Sequence, residues 1–365
     1  MKAIITVGMG FGDEGKGAAV DYLVRKHKAN LVVRYSGGHQ AAHNVVTPEG
    51  KHHTFSQFGS GTLAGAGTFL AADVVIEPLA MIKEAEHLQK LGIDPWHRMY
   101  ISPHCLVTTI YHKLLNRKNS LKGETCGVGV GETRKYYLKY GQDAIFMDDL
   151  NRESIVLKLD LLKARILDEI YEERACGLLG NTDFGKQILS ISTNQVVRDL
   201  MEIHDYIEPY VPDLDTRNGV LIFEGSQGLL LDPLYGYKPD VTWGNVTISN
   251  ALELIDVCKW PTEVIGVTRS YLTRHGDGPF PFDNLSAVED KYNVENEWQG
   301  KMRFAQLHPK CLNAAKQSIE DCGAKLDGLF VNHLDQHKID LGFFKDIAPV
   351  KYVGYGPSSV SKMEN

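Results

Sequence analysis

A glycine-rich run near the start of the chain, GMGFGDEGKG at residues 8–17, constrains the fold more than any other segment. It follows a short apolar run at residues 3–7, which predicts a β-strand, and it precedes residues 17–27, whose apolar side chains recur at helical spacing. Glycines at such a junction let backbone N–H groups converge on a phosphate, which the N-terminus of the following helix also attracts. The segment therefore predicts a strand, a phosphate loop and a helix, and the alternative is a plain tight turn.

The loop departs from both of the phosphate motifs that it resembles locally. Gly15 and Lys16 match the end of the P-loop pattern G-x-x-x-x-G-K, but Gly17 stands where a P-loop has the Ser or Thr that binds magnesium. The dinucleotide pattern G-x-G-x-x-G also fits, yet Asp13 and Glu14 would direct negative charge at a pyrophosphate. An acid in this loop is chemically useful if it binds magnesium or takes a proton from a substrate beside the γ-phosphate.

Strand-like and helix-like segments alternate along the rest of the chain. Further strands are predicted at residues 31–35, 68–75, 99–102, 220–223, 264–268 and 329–332, and helices at 78–91 and through 149–200. Residues 120–139 and 275–305, rich in glycine and polar side chains, are predicted as loops near a ligand. The alternation predicts an α/β fold with a large, mostly parallel central sheet flanked by helices, in a single elaborated domain over residues 1–365.

Composition excludes several classes of protein. The formal net charge of −7 at pH 7 provides no basic groove for a nucleic acid polymer. No run of about 18 apolar residues predicts a membrane span, and the N-terminal segment lacks the apolar core of a signal peptide. The six cysteines include no C-x-x-C pair, which is typical of reduced thiols and predicts a cytoplasmic protein without disulfides or zinc.

Three further clusters contain side chains suited to chemistry. His43, in GGHQAAHN, follows a predicted strand and a double glycine, so its imidazole is a candidate to stabilise a developing oxyanion. In NHLD, the carboxylate of Asp335 is a candidate to accept N1–H and N2–H of guanine. In WQGKMR, Lys301 and Arg303 form a basic pair that suits a dicarboxylate or a phosphate. The alternatives are a structural histidine, a surface turn and a solvated basic face.

The order of the motifs along the chain is itself informative. G-D-E-G-K-G is followed by R-x-x-G-G-x-x-A-x-H, E-G-x-Q-G-x-L-L-D, T-R-x-G-x-G-P-F-P, a basic loop, a strand ending in x-L-D, and Y-G-P. This order resembles the adenylosuccinate synthetase family across nearly the whole chain. The resemblance implies a ligase that forms a C–N bond, with a P-loop-like GTP-binding topology and elaborated substrate loops.

The resemblance also implies a two-step reaction, in which GTP phosphorylates the 6-oxygen of a purine nucleotide and the amine of L-aspartate displaces that phosphate. Asp13 would abstract the N1 proton and bind Mg²⁺, and His43 would stabilise the 6-oxyanion and the γ-phosphoryl group. The implied assignments are catalytic Asp13, His43, Lys16 and Gln227; GTP-binding Gly12, Glu14, Gly15, Lys16, Gly17, Asn44, Arg303, His333, Asp335, Gly356 and Pro357; purine nucleotide-binding Asp13, Gln40, Thr125, Gln227, Thr242 and His275; aspartate-binding Gln299, Gly300, Lys301 and Arg303; and metal-binding Asp13 and Ala42.

Several positions depart from the family pattern, and all of them lie on the substrate side. The family's N-A-G-H is Q-A-A-H at residues 40–43, and the first arginine of its T-G-R-x-R is Lys301, which weakens the contact to a ribose 2′-hydroxyl. This resembles the phage-type branch of 2-aminoadenylosuccinate synthetases, which act on dGMP on the way to diaminopurine deoxynucleotides. Members of that branch often replace the catalytic acid with Ser and use ATP, whereas Asp13 and Asp335 are kept here. The expected substrates are therefore dGMP and GTP, with ATP or dATP as alternative donors.

Other interpretations remain open. An ordinary adenylosuccinate synthetase would act on IMP, and a GTP-binding switch would carry no synthetase chemistry. The resemblance implies a homodimer in which an arginine enters the partner's site, and Arg134, Lys135 and Lys139 are equal candidates for that cation. The expected location is the cytoplasm, which is the host's if a phage encodes the chain.

Overall fold

The computed structural model describes residues 1–119, 125–176, 183–214, 219–257, 259–280, 282–285, 288, 298 and 300–365. The strands are β1 (Lys2–Gly8), β2 (Leu31–Arg34), β3 (His43–Val46), β4 (His52–Phe55), β5 (Gly67–Leu70), β6 (Val75–Ile76), β7 (Met99–Ile101), β8 (Leu106–Val107), β9 (Val220–Gly228), β10 (Thr262–Arg269), β11 (Tyr271–His275), β12 (Met302–Gln306), β13 (Gly328–Asn332), β14 (Val350–Gly354) and β15 (Lys362–Glu364). The helices are α1 (Lys16–His27), α2 (Pro78–Lys90), α3 (Ile110–Asn119), α4 (Val130–Tyr140), α5 (Ser154–Ala175), α6 (Asp183–Ser190), α7 (Thr193–Met201), α8 (Ser249–Asp256) and α9 (Pro309–Asp321).

Nine of these strands form the central sheet, in the order β15-β14-β13-β10-β1-β9-β2-β5-β7. Neighbouring strands are parallel, except that β15 runs antiparallel to β14. The prediction of a large, mostly parallel sheet in an α/β fold is confirmed. Within the described residues, no helix has the length and apolar character needed to cross a membrane.

The central strands are buried on both faces, as the alternation of side chains along a strand requires. On one face, Ile4 and Ile222 pack against Val20 and Leu23 of α1. On the other face, Ile5 packs in a larger cluster that includes apolar residues of α8 and α9. A third cluster lies around β5 and β7 and joins them to α2, α3, α5 and α7. The sheet therefore holds the loops at its carboxyl edge on a rigid support.

Several local predictions are wrong in their extent. The strand predicted at residues 68–75 is two strands, β5 and β6, and β9 runs through EGSQG to Gly228. The predicted loop at 120–139 contains α4, because Gly129 adopts a left-handed φ of 91° and serves as the N-cap of that helix. The predicted loop at 275–305 includes β12, which pairs antiparallel with β11. The high glycine content of residues 120–139 predicted a loop, but Gly129 in this segment is the N-cap of a helix, α4.

Candidate active site

A cavity of about 720 Å³ lies where β1, β2, β9, β10 and β13 end. Ligands of open parallel sheets bind at this edge, beyond the carboxyl ends of the strands. The cavity brings together most of the residues predicted from sequence, and its lining includes Gly12, Asp13, Gly15, Lys16, Gly17, Gln40, Ala42, His43, Asn44, Thr125, Gln227, Thr242, His275, His333, Asp335, Gly356 and Pro357. Residues more than 300 positions apart in the chain therefore face one space.

Three of the four predicted aspartate-binding residues do not line this cavity. Gly300, Lys301 and Arg303 are not among the residues that line the cavity, and Gln299 lies outside the described residues. The guanidinium of Arg303 donates from Nη2 to the backbone carbonyls of Asp277 (2.9 Å) and Gly278 (3.0 Å). Asp277 itself lines the cavity, so the β11–β12 hairpin reaches its edge. The aspartate-binding role of these residues stays a prediction.

The opening loop is held in a left-handed conformation at three positions. Gly12, Asp13 and Gly15 have φ values of 95°, 60° and 86°. Positive φ is uncommon outside glycine, but Asp and Asn tolerate it better than other residues. The loop is fixed from outside, since Arg269 donates from Nε to the carbonyl of Asp13 and Thr273 donates from Oγ1 to the carbonyl of Gly12 at 2.8 Å. The Asp13 carboxylate is thereby directed to the cavity, with Oδ2 3.3 Å from Nε2 of His275.

The second acid of the loop, Glu14, has a different role from Asp13. Its buried carboxylate accepts the backbone N–H groups of Gly10 (3.0 Å) and Gly12 (2.9 Å), and Lys16 Nζ lies 2.6 Å away. Burial raises the pKa of Glu14, but the charge and hydrogen bond of Lys16, together with backbone hydrogen bonds, lower it more, so the net pKa lies below its ordinary value. The Glu14 carboxylate thus lies inside the loop, where a P-loop would bind phosphate oxygens. Its hydrogen bonds to the backbone N–H groups stabilise the shape of the loop.

We expect Glu14→Gln to destabilise the protein by about 3–5 kcal/mol, because it leaves the buried ammonium of Lys16 without its carboxylate. The measurement is the free energy of unfolding in urea at pH 7, with and without GTP. GTP should reduce the loss, since its phosphates provide another anionic partner for Lys16. Glu86→Gln, at an exposed carboxylate of α2, is the control and should change stability by no more than about 0.5 kcal/mol. Equal stability of Glu14→Gln and the native protein would contradict this account.

The absence of a P-loop hydroxyl has a steric cause. A Cβ added at Gly17 would lie 2.8 Å from Cβ of His43 and 3.0 Å from its carbonyl carbon. Any Ser or Thr at this position would therefore collide with the first residue of β3. α1 and β3 approach each other closely at Gly17, which places His43 beside the loop. His43 thereby occupies the space in which a P-loop would hold its Ser or Thr side chain.

His43 is held by a network that the sequence analysis did not identify. Its Nδ1 lies 2.5 Å from Oε1 of Glu224, and its Nε2 lies 3.1 Å from the carbonyl of Ser226. The same carboxylate accepts the backbone N–H of Ser60 at 2.9 Å and the hydroxyl of Ser60. Glu224 is fully buried, and burial alone raises its pKa, but Arg34, His43 and Ser60 together lower the pKa to about 2. The imidazole is therefore oriented by a carboxylate that stays charged at neutral pH.

Two amide side chains have unsatisfied oxygens beside the cavity. Oε1 of Gln40 and Oε1 of Gln227 are buried and have no hydrogen-bond partner among the described residues. Buried polar atoms are nearly always paired in folded proteins, so such atoms in a cavity indicate groups that a ligand satisfies. The double glycine before Gln40 makes room for them, since a Cβ at Gly37 would lie 2.3 Å from Cβ of Ser226.

The far end of the cavity is closed by the last turn of the chain. Asp335 is exposed at the end of β13, and Gly356 and Pro357 follow β14. The ammonium of Lys362 donates to the carbonyls of Gly356 (2.9 Å), Pro357 (3.0 Å) and Ser358 (3.1 Å), so one buried cation fixes this turn. The sequence offered no signal for Lys362, because the contact depends on the pairing of β14 with β15.

Comparisons with known proteins point to one family. Residues 5–301 match the family model described as adenylosuccinate synthetase. The adenylosuccinate synthetase of Thermoplasma acidophilum is 33% identical over 385 aligned residues, which cover 100% of this chain and 84% of the relative. That of Bordetella avium is 30% identical over 390 aligned residues and is matched over 85% of its length, again across 100% of this chain.

Two solved structures share the fold. A fully ligated adenylosuccinate synthetase of Plasmodium falciparum aligns with a TM-score of 0.73 at 16% identity, over 99% of each chain. The succinoaminodeoxyadenylate synthetase of cyanophage S-2L, bound to dGMP and to dATP as an energy donor, aligns with a TM-score of 0.67 at 18% identity, over 100% of this chain and 95% of that one. At these identities the two structures establish the fold alone.

Proposed function

Because this chain belongs to the adenylosuccinate synthetase family, a family of ligases that join aspartate to a purine nucleotide through a C–N bond, we propose that its purine substrate is dGMP. The product would be 2-aminodeoxyadenylosuccinate. The observation that carries the proposal is the pair of unsatisfied buried oxygens on Gln40 and Gln227. The 2-amino group of guanine presents two N–H donors, whereas hypoxanthine lacks this group. A site with two free acceptors is better satisfied by guanine.

The reaction follows from the groups that face the cavity. Asp13 accepts the N1 proton of the purine, and the 6-oxygen then forms a bond to the γ-phosphorus of the donor as the bond to the β-phosphate oxygen breaks. His43, held by Glu224, stabilises charge on the 6-oxygen and the transferred group. The amine of aspartate next forms the C6–N bond, and the phosphate leaves from C6. Lys16 neutralises phosphate charge at the loop.

A magnesium ion fits the oxygen ligands that the loop offers. Asp13 and Ala42 line the same cavity, and a carboxylate and a backbone carbonyl are hard donors of the type that magnesium prefers. The described residues contain no group of three or more His, Cys, Asp or Glu side chains placed to hold a metal alone. Magnesium at nucleotide sites usually completes its shell with substrate phosphates and water, and when bound it supplies charge neutralisation to the transferred phosphoryl group.

GTP is the donor that we propose, because Asp335 at the far end of the cavity suits the N1–H and N2–H donors of guanine. The turn at residues 356–358, which the ammonium of Lys362 holds, should make the binding of GTP depend on pH. Burial lowers the pKa of Lys362 to about 8, against the opposing charges of Asp21 and Asp335. Below that pH the ammonium holds the three carbonyls, and above it the neutral amine holds them less well.

We therefore expect the KM for GTP to rise as pH increases through about 8, by up to about tenfold per pH unit, since only the organised turn binds. The KM is measured between pH 6.5 and 9.5 at saturating levels of the other substrates. Lys362→Arg, which stays charged over this range, is the control and should show a flatter profile. A native KM that does not change with pH would refute this role of Lys362.

The substrate is tested by incubating the purified protein with magnesium, aspartate and GTP, and with IMP, GMP, dGMP or AMP in parallel. The aspartate adduct is detected by mass spectrometry. An adduct mainly with dGMP would support the proposal. Faster turnover of IMP would instead make the chain an ordinary adenylosuccinate synthetase. If no adduct forms and aspartate does not stimulate the release of phosphate, the chain would instead be a GTP-binding switch without synthetase activity. Gln40→Asn, which restores the usual family residue, should shift the preference toward IMP.

A further inference from the structure

His275, the last residue of β11, faces the opening loop from the neighbouring hairpin. It lines the cavity, and its Nε2 lies 3.3 Å from Oδ2 of Asp13. Side chains two positions apart share one face of a strand, and Thr273, on the same face as His275, donates from Oγ1 to the carbonyl of Gly12 at 2.8 Å. One face of β11 therefore contacts the loop twice, once at its backbone and once at the carboxylate of Asp13.

The carboxylate of Asp13 has few other constraints on its direction. The contacts from Arg269 and Thr273 fix the backbone carbonyls of Asp13 and Gly12, but a backbone contact leaves the side chain a choice of rotamers. In the part of the chain that the structure describes, no basic side chain other than His275 lies within ion-pair distance of this carboxylate. The direction of the carboxylate therefore depends on His275.

The imidazole of His275 is placed to make this contact with one of its two nitrogens. Its Nδ1 is buried and has no hydrogen-bond partner among the described residues, so Nε2 is the nitrogen that meets a protein group. The backbone beside the ring is tied to the facing strand, since the N–H of Gly276 donates to the carbonyl of Lys301 at 3.0 Å and His275 pairs with Met302. A ring with its proton on Nε2 can donate to a carboxylate whether the ring is neutral or charged.

We infer that His275 is a positioning residue for the reaction, whose Nε2–H holds the carboxylate of Asp13 in the direction from which it accepts the N1 proton of the purine. The sequence analysis assigned His275 only to binding of the purine nucleotide. The separation of 3.3 Å is long for a hydrogen bond to a carboxylate, and such contacts often tighten when substrates fill the site. The inference rests on the proposed function only in taking Asp13 as the proton acceptor, and it applies to any 6-oxopurine nucleotide.

The first test uses two amide substitutions that separate the nitrogens of the ring, with the purine nucleotide that gives the fastest turnover. The amide of Gln extends to the position of Nε2, whereas the amide of Asn extends only to that of Nδ1. We expect His275→Asn to lower kcat about 10- to 100-fold, because a misdirected base reacts slowly, and to leave the KM values within about threefold. His275→Gln should recover most of kcat. His97→Asn, at an exposed histidine outside the cavity lining, is the control and should match the native protein.

The second test combines His275→Asn with Asp13→Asn in one chain. If His275 acts through Asp13, adding His275→Asn should change the turnover that remains in Asp13→Asn by no more than about twofold, since residues that act as a unit are not additive. A loss as large as that in the native background would show that His275 acts on the substrate itself, and it would overturn the inference. If His275→Asn does not fold, His275→Leu, which also lacks the donor, takes its place in both tests.

The remaining outcomes separate failure of this inference from failure of the proposed function. A raised KM for the purine nucleotide with an unchanged kcat would give His275 a role in binding alone and would overturn the inference. Equal losses of kcat in His275→Asn and His275→Gln would also overturn it, because the donor at Nε2 would not be what matters. Native turnover in His275→Asn beside an inactive Asp13→Asn would overturn the inference alone. Native turnover in Asp13→Asn would overturn both the inference and the proposed role of Asp13.

Discussion

Asp13→Asn is expected to lower turnover by about 10²–10⁴-fold, the usual effect of removing a positioned base, while GTP binds almost as before. The substitution removes the group that we propose as proton acceptor and as one oxygen ligand for magnesium. The loop should keep its shape, since Asn tolerates the positive φ of 60° at this position and the Arg269 contact is made to the backbone. Loss of activity would therefore report on chemistry and not on folding.

The measurement is aspartate-dependent release of phosphate with the best purine substrate, together with the affinity for GTP. Asp346→Asn, at an exposed carboxylate in a turn that does not line the cavity, serves as the control and should retain native activity. If Asp13→Asn keeps more than about a tenth of native turnover, then the base is another group. A large loss of GTP affinity would mean instead that Asp13 acts mainly in binding the donor.

The pattern of apolar and polar residues predicted those site residues that directly follow a strand. Apolar runs placed β1, β2 and β13, and the ends of these strands gave the positions of Asp13, His43 and Asp335. The same reasoning could not separate the two acids of the loop. Asp13 faces the cavity and Glu14 faces the loop interior because of left-handed φ values at Gly12, Asp13 and Gly15, which no side-chain pattern encodes.

Contacts between side chains that are far apart in the sequence could not be predicted from the sequence alone. His43 and Glu224 are 181 residues apart, and they meet where β3, which lies outside the central sheet, approaches β9 of that sheet. The order of the strands is set by packing over the whole domain, and one sequence does not reveal it. The same applies to Gly17, whose missing hydroxyl is explained only by the approach of β3. Motif spacing thus located candidate residues that the fold brings to one cavity, whereas the groups that orient them could be identified only from the fold.

Glu224→Gln is expected to lower kcat by about 10²-fold or more with little change in the KM for GTP. Glu224 does not line the cavity and contacts His43, so we assign it as a positioning residue that acts through the imidazole. An amide keeps the size of the carboxylate but removes the charge that faces Nδ1, and a comparable change at the carboxylate of a catalytic triad costs about 10⁴-fold. The matched control is Glu84→Gln, since Glu84 is also a buried carboxylate and accepts the backbone N–H groups of Ser56 and Gln57. It should lose stability and keep its kcat.

The pH dependence of stability distinguishes a charged Glu224 from a neutral one. Its pKa in the folded protein is about 2, below the ordinary value of 4.5, so the stabilisation that it provides is complete above about pH 4.5 and is lost as pH falls toward 2. A shift of that size corresponds to roughly 3 kcal/mol. The difference in unfolding free energy between the native protein and Glu224→Gln should therefore be constant from pH 5 to 8 and shrink in acid. A difference that does not change between pH 5 and 3, or an unchanged kcat, would show that His43 does not depend on this carboxylate.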